Sequence, residues 1–103
     1  MKILVSELAA FKIEKLLEYL EKEWSRKARN HFHKQLNSSI DVLRQSPFAF
    51  PKSEFHPEIR KLVVSKHSTV FYKVSDDLVF IITIFDSRQD PDQMESEILK
   101  YFS

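Results

Sequence analysis

Seven cations fall on or beside three strand-like segments: Lys52, Arg60, Lys61, Lys66, His67, Lys73 and Arg88. Such a set could grip phosphates and cleave RNA without a metal. That chemistry needs a base for the 2′-hydroxyl, a proton donor for the leaving oxygen and positive charge at the transition state. Lys61, Lys66 or His67 could move the protons, and Arg60 or Arg88 could supply the charge. Spacing alone does not separate these residues from ordinary surface cations. The other candidates are weaker. His31 and His33 sit two apart in a helical stretch, point in divergent directions and cannot grip one metal. The four histidines show no metal-ligand spacing with a carboxylate. Asp76 and Asp77 look like paired carboxylates, but a hairpin turn accounts for them. Neither a metal nor a cofactor is expected.

Composition removes whole classes of function. The chain has no Gly. Phosphate-cradling loops and dinucleotide fingerprints need glycine for close backbone approach, so P-loop hydrolysis and Rossmann-type redox chemistry drop out. It has no Cys either, which removes disulfides, thiolate chemistry and zinc knuckles. No apolar run reaches the roughly 20 residues a membrane helix needs. The opening Met1-Lys2-Ile3-Leu4-Val5 is too short and too soon polar for a signal peptide. A cytoplasmic protein of one domain, residues 1–103, is the expectation. A net charge of +1 gives no strong pull toward nucleic acid.

The elements that must position these side chains follow from periodicity. Lys2 to Val5 reads as a short strand. Ser6 can cap a helix over residues 7 to 23 with an apolar stripe of Ala9, Ile13, Leu16, Leu17, Leu20 and Trp24. Ser25 can cap a second helix to about Gln45, striped by Ala28, Phe32, Leu36, Ile40 and Leu43. The link between them is so short that the pair should fold as an antiparallel hairpin. Pro47 and Pro51 end the second helix and open a loop through Pro57, with Phe48, Phe50 and Phe55 either packed on the core or left as a sticky patch. Strands follow over Glu58 to Val64, Thr69 to Val74 and Leu78 to Phe85. Asp90 then caps a last helix beginning at Pro91, with Gln93 placed as in a capping box and Met94, Ile98 and Phe102 on its sticky side. The expected fold is α+β: an N-terminal strand, a helical hairpin packed on one face of a three-stranded antiparallel meander, and a short C-terminal helix.

A two-residue turn at Asp76-Asp77 sets Val74 opposite Val79, Tyr72 opposite Ile81 and Phe71 opposite Ile82. One face then holds Phe71, Phe80, Ile82 and Ile84; the other holds Val70, Tyr72, Val74, Val79 and Ile81. Both are apolar, and the helical hairpin covers one. Each large side chain left in water forfeits roughly 1.5–3 kcal/mol. The second face therefore calls for the last helix, a second copy or a partner chain. Phe71, Tyr72, Phe80, Ile81 and Ile82 are the candidate partner-binding residues, with the face left open.

The order of these elements and their residues resembles the RelE/ParE superfamily of bacterial toxins. The similarity runs from Lys2 to about Pro91. It is carried by Ser6 with Ala9-Ala10, Tyr19-Leu20 before Trp24, Ala28 with Phe32 and Leu36, and Leu43 with Pro47. Its strongest pieces are Ile59-Arg60-Lys61-Leu62-Val63-Val64, Val70-Phe71-Tyr72-Lys73-Val74 and Phe85-Asp86-Ser87-Arg88-Gln89-Asp90-Pro91. The resemblance implies a toxin of a type II toxin–antitoxin pair, silenced by a cognate antitoxin and assembling with it or with further copies. RelE-type members cut messenger RNA on the ribosome; ParE-type members poison DNA gyrase. The nuclease branch places an arginine three residues before the strand-three tyrosine, where this chain has Thr69. It also carries a tyrosine or histidine after the last strand, where this chain has Asp86-Ser87-Arg88-Gln89. Arg60 matches both branches. The resemblance thus implies the ParE-like, gyrase-binding reading, with ribosome-dependent cleavage and an inactive interaction domain as alternatives.

Overall fold

The computed structural model describes residues 1–101; Phe102, expected on the last helix, lies outside the described residues. Strand β1 (Lys2–Val5) leads into helices α1 (Glu7–Glu23) and α2 (Arg26–Gln45), then strands β2 (Arg60–Ser65), β3 (Ser68–Ser75) and β4 (Leu78–Asp86), and helix α3 (Pro91–Lys100). The caps act as the residue types require. Ser6 accepts from the Ala9 N–H, Ser25 from the Ala28 N–H and Asp90 from the Asp92 N–H. Gln93 completes no reciprocal box; its own N–H bonds the Asp90 carbonyl.

The four strands form one sheet in the order β1-β4-β3-β2. β2–β3–β4 is the antiparallel meander, and β1 lies parallel to β4. Asp76 takes the left-handed conformation, φ 52°, that lets the β3–β4 turn close. Asp tolerates this backbone better than most residues, and a chain without glycine has few other choices.

The hairpin register matches the expected one only near the turn. Val74 faces Val79 and Tyr72 faces Ile81, but Phe71 faces Thr83. A β-bulge adds one residue to β4 at this point and switches the alternation. Ile84 therefore joins Val70, Tyr72, Val79 and Ile81 beneath the helical hairpin, against Phe32, Leu36 and Leu43, rather than sharing a face with Phe71.

The second face is closed by the chain itself. Ile59, Phe71, Ile82, Phe85 and Ile98 form a buried cluster with Phe55, Phe80 and Met94 packed at its margin. Phe71 meets Phe85 edge-on at 6.1 Å, and Phe80 stacks on Tyr101 at 5.4 Å. Thr83, fully buried one residue past the bulged Ile82, ties the layers together. Its hydroxyl donates to Glu97 of α3 at 2.8 Å and accepts from Lys12 of α1 at 3.1 Å. Lys12 also pairs with Glu97 and lies 3.7 Å from the centre of the Phe85 ring. The last helix, helped by the loop before β2, covers the centre of this face.

Among the loop phenylalanines, Phe50 packs on the first core and Phe55 on the second, while Phe48 stays exposed beside Arg60. Among the described residues no helix is long and apolar enough to cross a membrane.

Candidate functional site: a groove along the first helix

The five candidate catalytic cations form two groups at opposite ends of β2. Arg60 and Lys61 start the strand, whereas Lys66 and His67 make the β2–β3 turn. Six residues at about 3.3 Å each separate Arg60 from Lys66 by roughly 20 Å. Arg88 joins the second group, because the Ser87 N–H bonds the His67 carbonyl at 2.8 Å. A base, a proton donor and a charge must converge on the same few atoms of a substrate. These five residues do not converge.

Arg60 has structural work instead. Its guanidinium donates to the Phe50 carbonyl at 2.7 Å and lies 5.3 Å from the Phe48 ring centre. The buried Tyr72 hydroxyl donates to the Pro47 carbonyl, also at 2.7 Å. Together they staple the loop after α2 to the sheet. Lys61 pairs with Glu54 at 2.9 Å, and this contact is the main cause of the lowered Glu54 pKa. Arg88 clamps Asp86 through Nε at 2.9 Å and Nη2 at 2.5 Å and holds that carboxyl down to about 2. The small stability this gives an exposed pair is present above the ordinary Asp range and is lost only as pH falls toward 2.

The Tyr72 staple carries a prediction. Burial pushes its pKa from 10.0 up to about 12. The folded state thus favours the neutral phenol, giving stability that is complete below pH 10 and is lost as pH rises from 10 to about 12. Tyr72→Phe should cost about 1–3 kcal/mol at neutral pH by leaving the Pro47 carbonyl unpaired. It should also flatten the alkaline limb of the stability curve, read by urea unfolding at pH 7 and pH 11. An unchanged alkaline limb would remove Tyr72 from that role.

The extended concavity lies elsewhere. β1 pairs only with Leu78 to Ile81, the first half of β4. At Ser6 the chain leaves the sheet: its N–H bonds the Ile81 carbonyl at 3.0 Å and its hydroxyl the Ile82 carbonyl at 2.7 Å. Beyond that point α1, not a strand, runs beside β4. A cleft of about 390 Å³ opens between Phe11, Lys12, Lys15 and Leu16 of α1 and Ile84, Phe85 and Asp86 of β4. It runs into a second, of about 650 Å³, between Tyr19, Leu20 and Trp24 on one side and His67, Ser68, Asp86 and Arg88 on the other, with Ala28 and Phe32 of α2 also lining it. The two share Leu16, Ser68 and Asp86 and make one groove.

Three aromatic side chains stand open along it: Phe11 at 57%, Tyr19 at 54% and Trp24 at 74% exposure. An exposed apolar cluster rimmed by charge is the mark of a protein-binding surface, and Trp and Tyr are the residues that most often carry its energy. The sequence placed Trp24 on the buried stripe. The structure corrects this: Trp24 is the C-cap of α1, with φ −120° and ψ −82°, and swings off the helical line. Phe11 and Tyr19, with Lys15 between them at four-residue steps, form a second line on α1 beside the apolar stripe. That spacing was the available signal.

The five candidate partner-binding residues need the opposite correction. Tyr72 and Ile81 are buried under the helical hairpin, Phe71 and Ile82 under α3, and Phe80 is half-buried at the margin of the second core. Four of them are core residues because the chain supplies both covers.

Comparison with known proteins bears on the fold and the family. No curated protein sequence matches the chain. Among solved structures, the chromosomal ParDE toxin–antitoxin system from P. aeruginosa superposes with a TM-score of 0.71. That likeness, at 15% identity over 84% of this chain and 95% of the other, speaks for the fold alone. The sequence profile of the ParE toxin of the type II toxin-antitoxin system parDE matches residues 3–91, from β1 to the first residue of α3. The chain belongs to the ParE toxin family of type II toxin–antitoxin systems.

Proposed function

We propose that the chain inhibits growth by binding DNA gyrase, and that a cognate antitoxin silences it in the cytoplasm by laying an apolar segment into the groove along α1. The observation that carries a binding reading is the groove itself, with Phe11, Tyr19 and Trp24 open to solvent on one helix. Membership of the ParE toxin family supports the antitoxin as its occupant. The separation of Arg60 and Lys61 from Lys66, His67 and Arg88 counts against the alternative of metal-free RNA cleavage on the ribosome.

Purified gyrase is the direct test. Added in stoichiometric excess, the chain should block supercoiling of relaxed plasmid, and antitoxin should restore it. Induction in cells should halt division and raise a DNA-damage response while transcripts stay intact. Codon-phased cuts in messenger RNA, with supercoiling unaffected, would overturn the gyrase reading in favour of the nuclease. Growth unaffected by strong expression would leave an inactive interaction domain.

A further inference from the structure

We propose that the outer edge of β1 pairs with the same edge of a second copy, joining two four-stranded sheets into one about a two-fold axis through Leu4. β1 is the edge strand, and among the described residues no strand lies beyond it in the sheet. Its ladder direction is fixed by two bonds, Lys2 N–H to the Asp77 carbonyl and Ser6 N–H to the Ile81 carbonyl. In a parallel pair alternate residues bond the neighbour. Lys2, Leu4 and Ser6 therefore turn their backbone groups toward β4, and those of Ile3 and Val5 point outward.

That outward pattern is self-complementary. In an antiparallel pairing Ile3 of one copy meets Val5 of the other, and each such pair exchanges both of its N–H to carbonyl bonds. Leu4 then sits opposite its own copy, with Cα atoms about 4.5 Å apart. Leu4 is 50% exposed in the lone chain, which is unusual for a leucine in the middle of a strand. It shares its face with Phe80, its register partner on β4, and beside them Leu8, Phe80, Ile82 and Tyr101 line a cleft of about 440 Å³. A two-fold perpendicular to the sheet sets both clefts on the same side, flanking the pair of leucines.

Charge permits the same register. Natural edge strands avoid each other by carrying lysines, prolines or bulges. β1 has no proline and one charge, Lys2, and the register places it opposite Ser6 of the second copy rather than opposite itself. A foreign strand would find the same free edge but not this match of the strand to itself.

Sedimentation equilibrium of the full chain from cell-free synthesis tests the idea, and it measures assembly rather than toxicity, so its failure leaves the gyrase reading untouched. Wild type should pass from monomer to dimer with concentration. Leu4→Lys and Leu4→Glu each put like charges face to face on the axis and should weaken the dimer at least about tenfold. Mixing the two variants should restore it as a heterodimer, which no folding defect can mimic. A wild-type monomer at every concentration overturns the proposal and leaves the edge to a strand of another protein. A dimer that survives in both variants overturns it equally, by placing the contact elsewhere.

Discussion

Ile98→Asp should unfold the chain or turn it into an aggregating species with a detached last helix. Ile98 is 0% exposed at the centre of the second core. The substitution loses about 1.5–3 kcal/mol of apolar burial. It also forces a carboxylate among Ile59, Phe71, Ile82 and Phe85, at an effective cost of several kcal/mol more. A domain of this size has about 5–15 kcal/mol in all. The chain's escape is to release α3, which exposes the second face of the sheet and breaks the Lys12–Glu97–Thr83 tie. Urea unfolding with a dye for exposed apolar surface reads both outcomes. Ile98→Val, which keeps shape and chemistry, should cost only about 0.5–1.5 kcal/mol. A soluble Ile98→Asp protein with a wild-type midpoint and no dye binding would show that α3 is not the cover of this face.

Alanine at Tyr19 and at Trp24 should each weaken antitoxin binding by about 2 kcal/mol or more, roughly 30-fold apiece. Both side chains are largely exposed, so the fold should keep its stability within about 0.5 kcal/mol. The consequence in cells is a toxin that its antitoxin no longer restrains, provided neither residue also contacts the target. Calorimetric titration gives the affinities, and co-expression gives the growth phenotype. Phe48→Ala serves as the control, being an exposed aromatic on the loop after α2 that lines neither part of the groove. Equal affinities for wild type and both groove variants would remove the groove as the docking surface. A loss in Phe48→Ala of the same size would move the surface to that loop.

Elements with one apolar side were readable to within two residues, because period and caps agree there: Ser6, Ser25 and Asp90 all cap as their side chains allow. Register was readable only where the turn dictates it. Past Tyr72 the strand is apolar on both faces, so nothing in Ile81-Ile82-Thr83-Ile84 signals an added residue, and the bulge passes unseen. The same two-sidedness misdirected the site. It read as a surface waiting for another protein, whereas Ile59, Phe55 and α3 come from distant parts of the chain to cover it. The groove escaped notice for a related reason: an open Trp24 and a buried one leave the same mark on a helical period. Arg60 is the residue whose meaning changed most. Its place among strand cations suggested chemistry, and its partners turned out to be two loop carbonyls.

The left-handed Asp76 in a chain without a single glycine has a consequence for the denatured ensemble. Glycine is the residue that wanders most when unfolded, and replacing it at a compatible site stabilises a protein by about 0.4–1 kcal/mol through that ensemble alone. With none present, random-coil forms of this polypeptide explore fewer backbone shapes, and the native basin competes against a narrower crowd. A small sheet stripped of its companion and briefly melted would then have less ground to search on its way back.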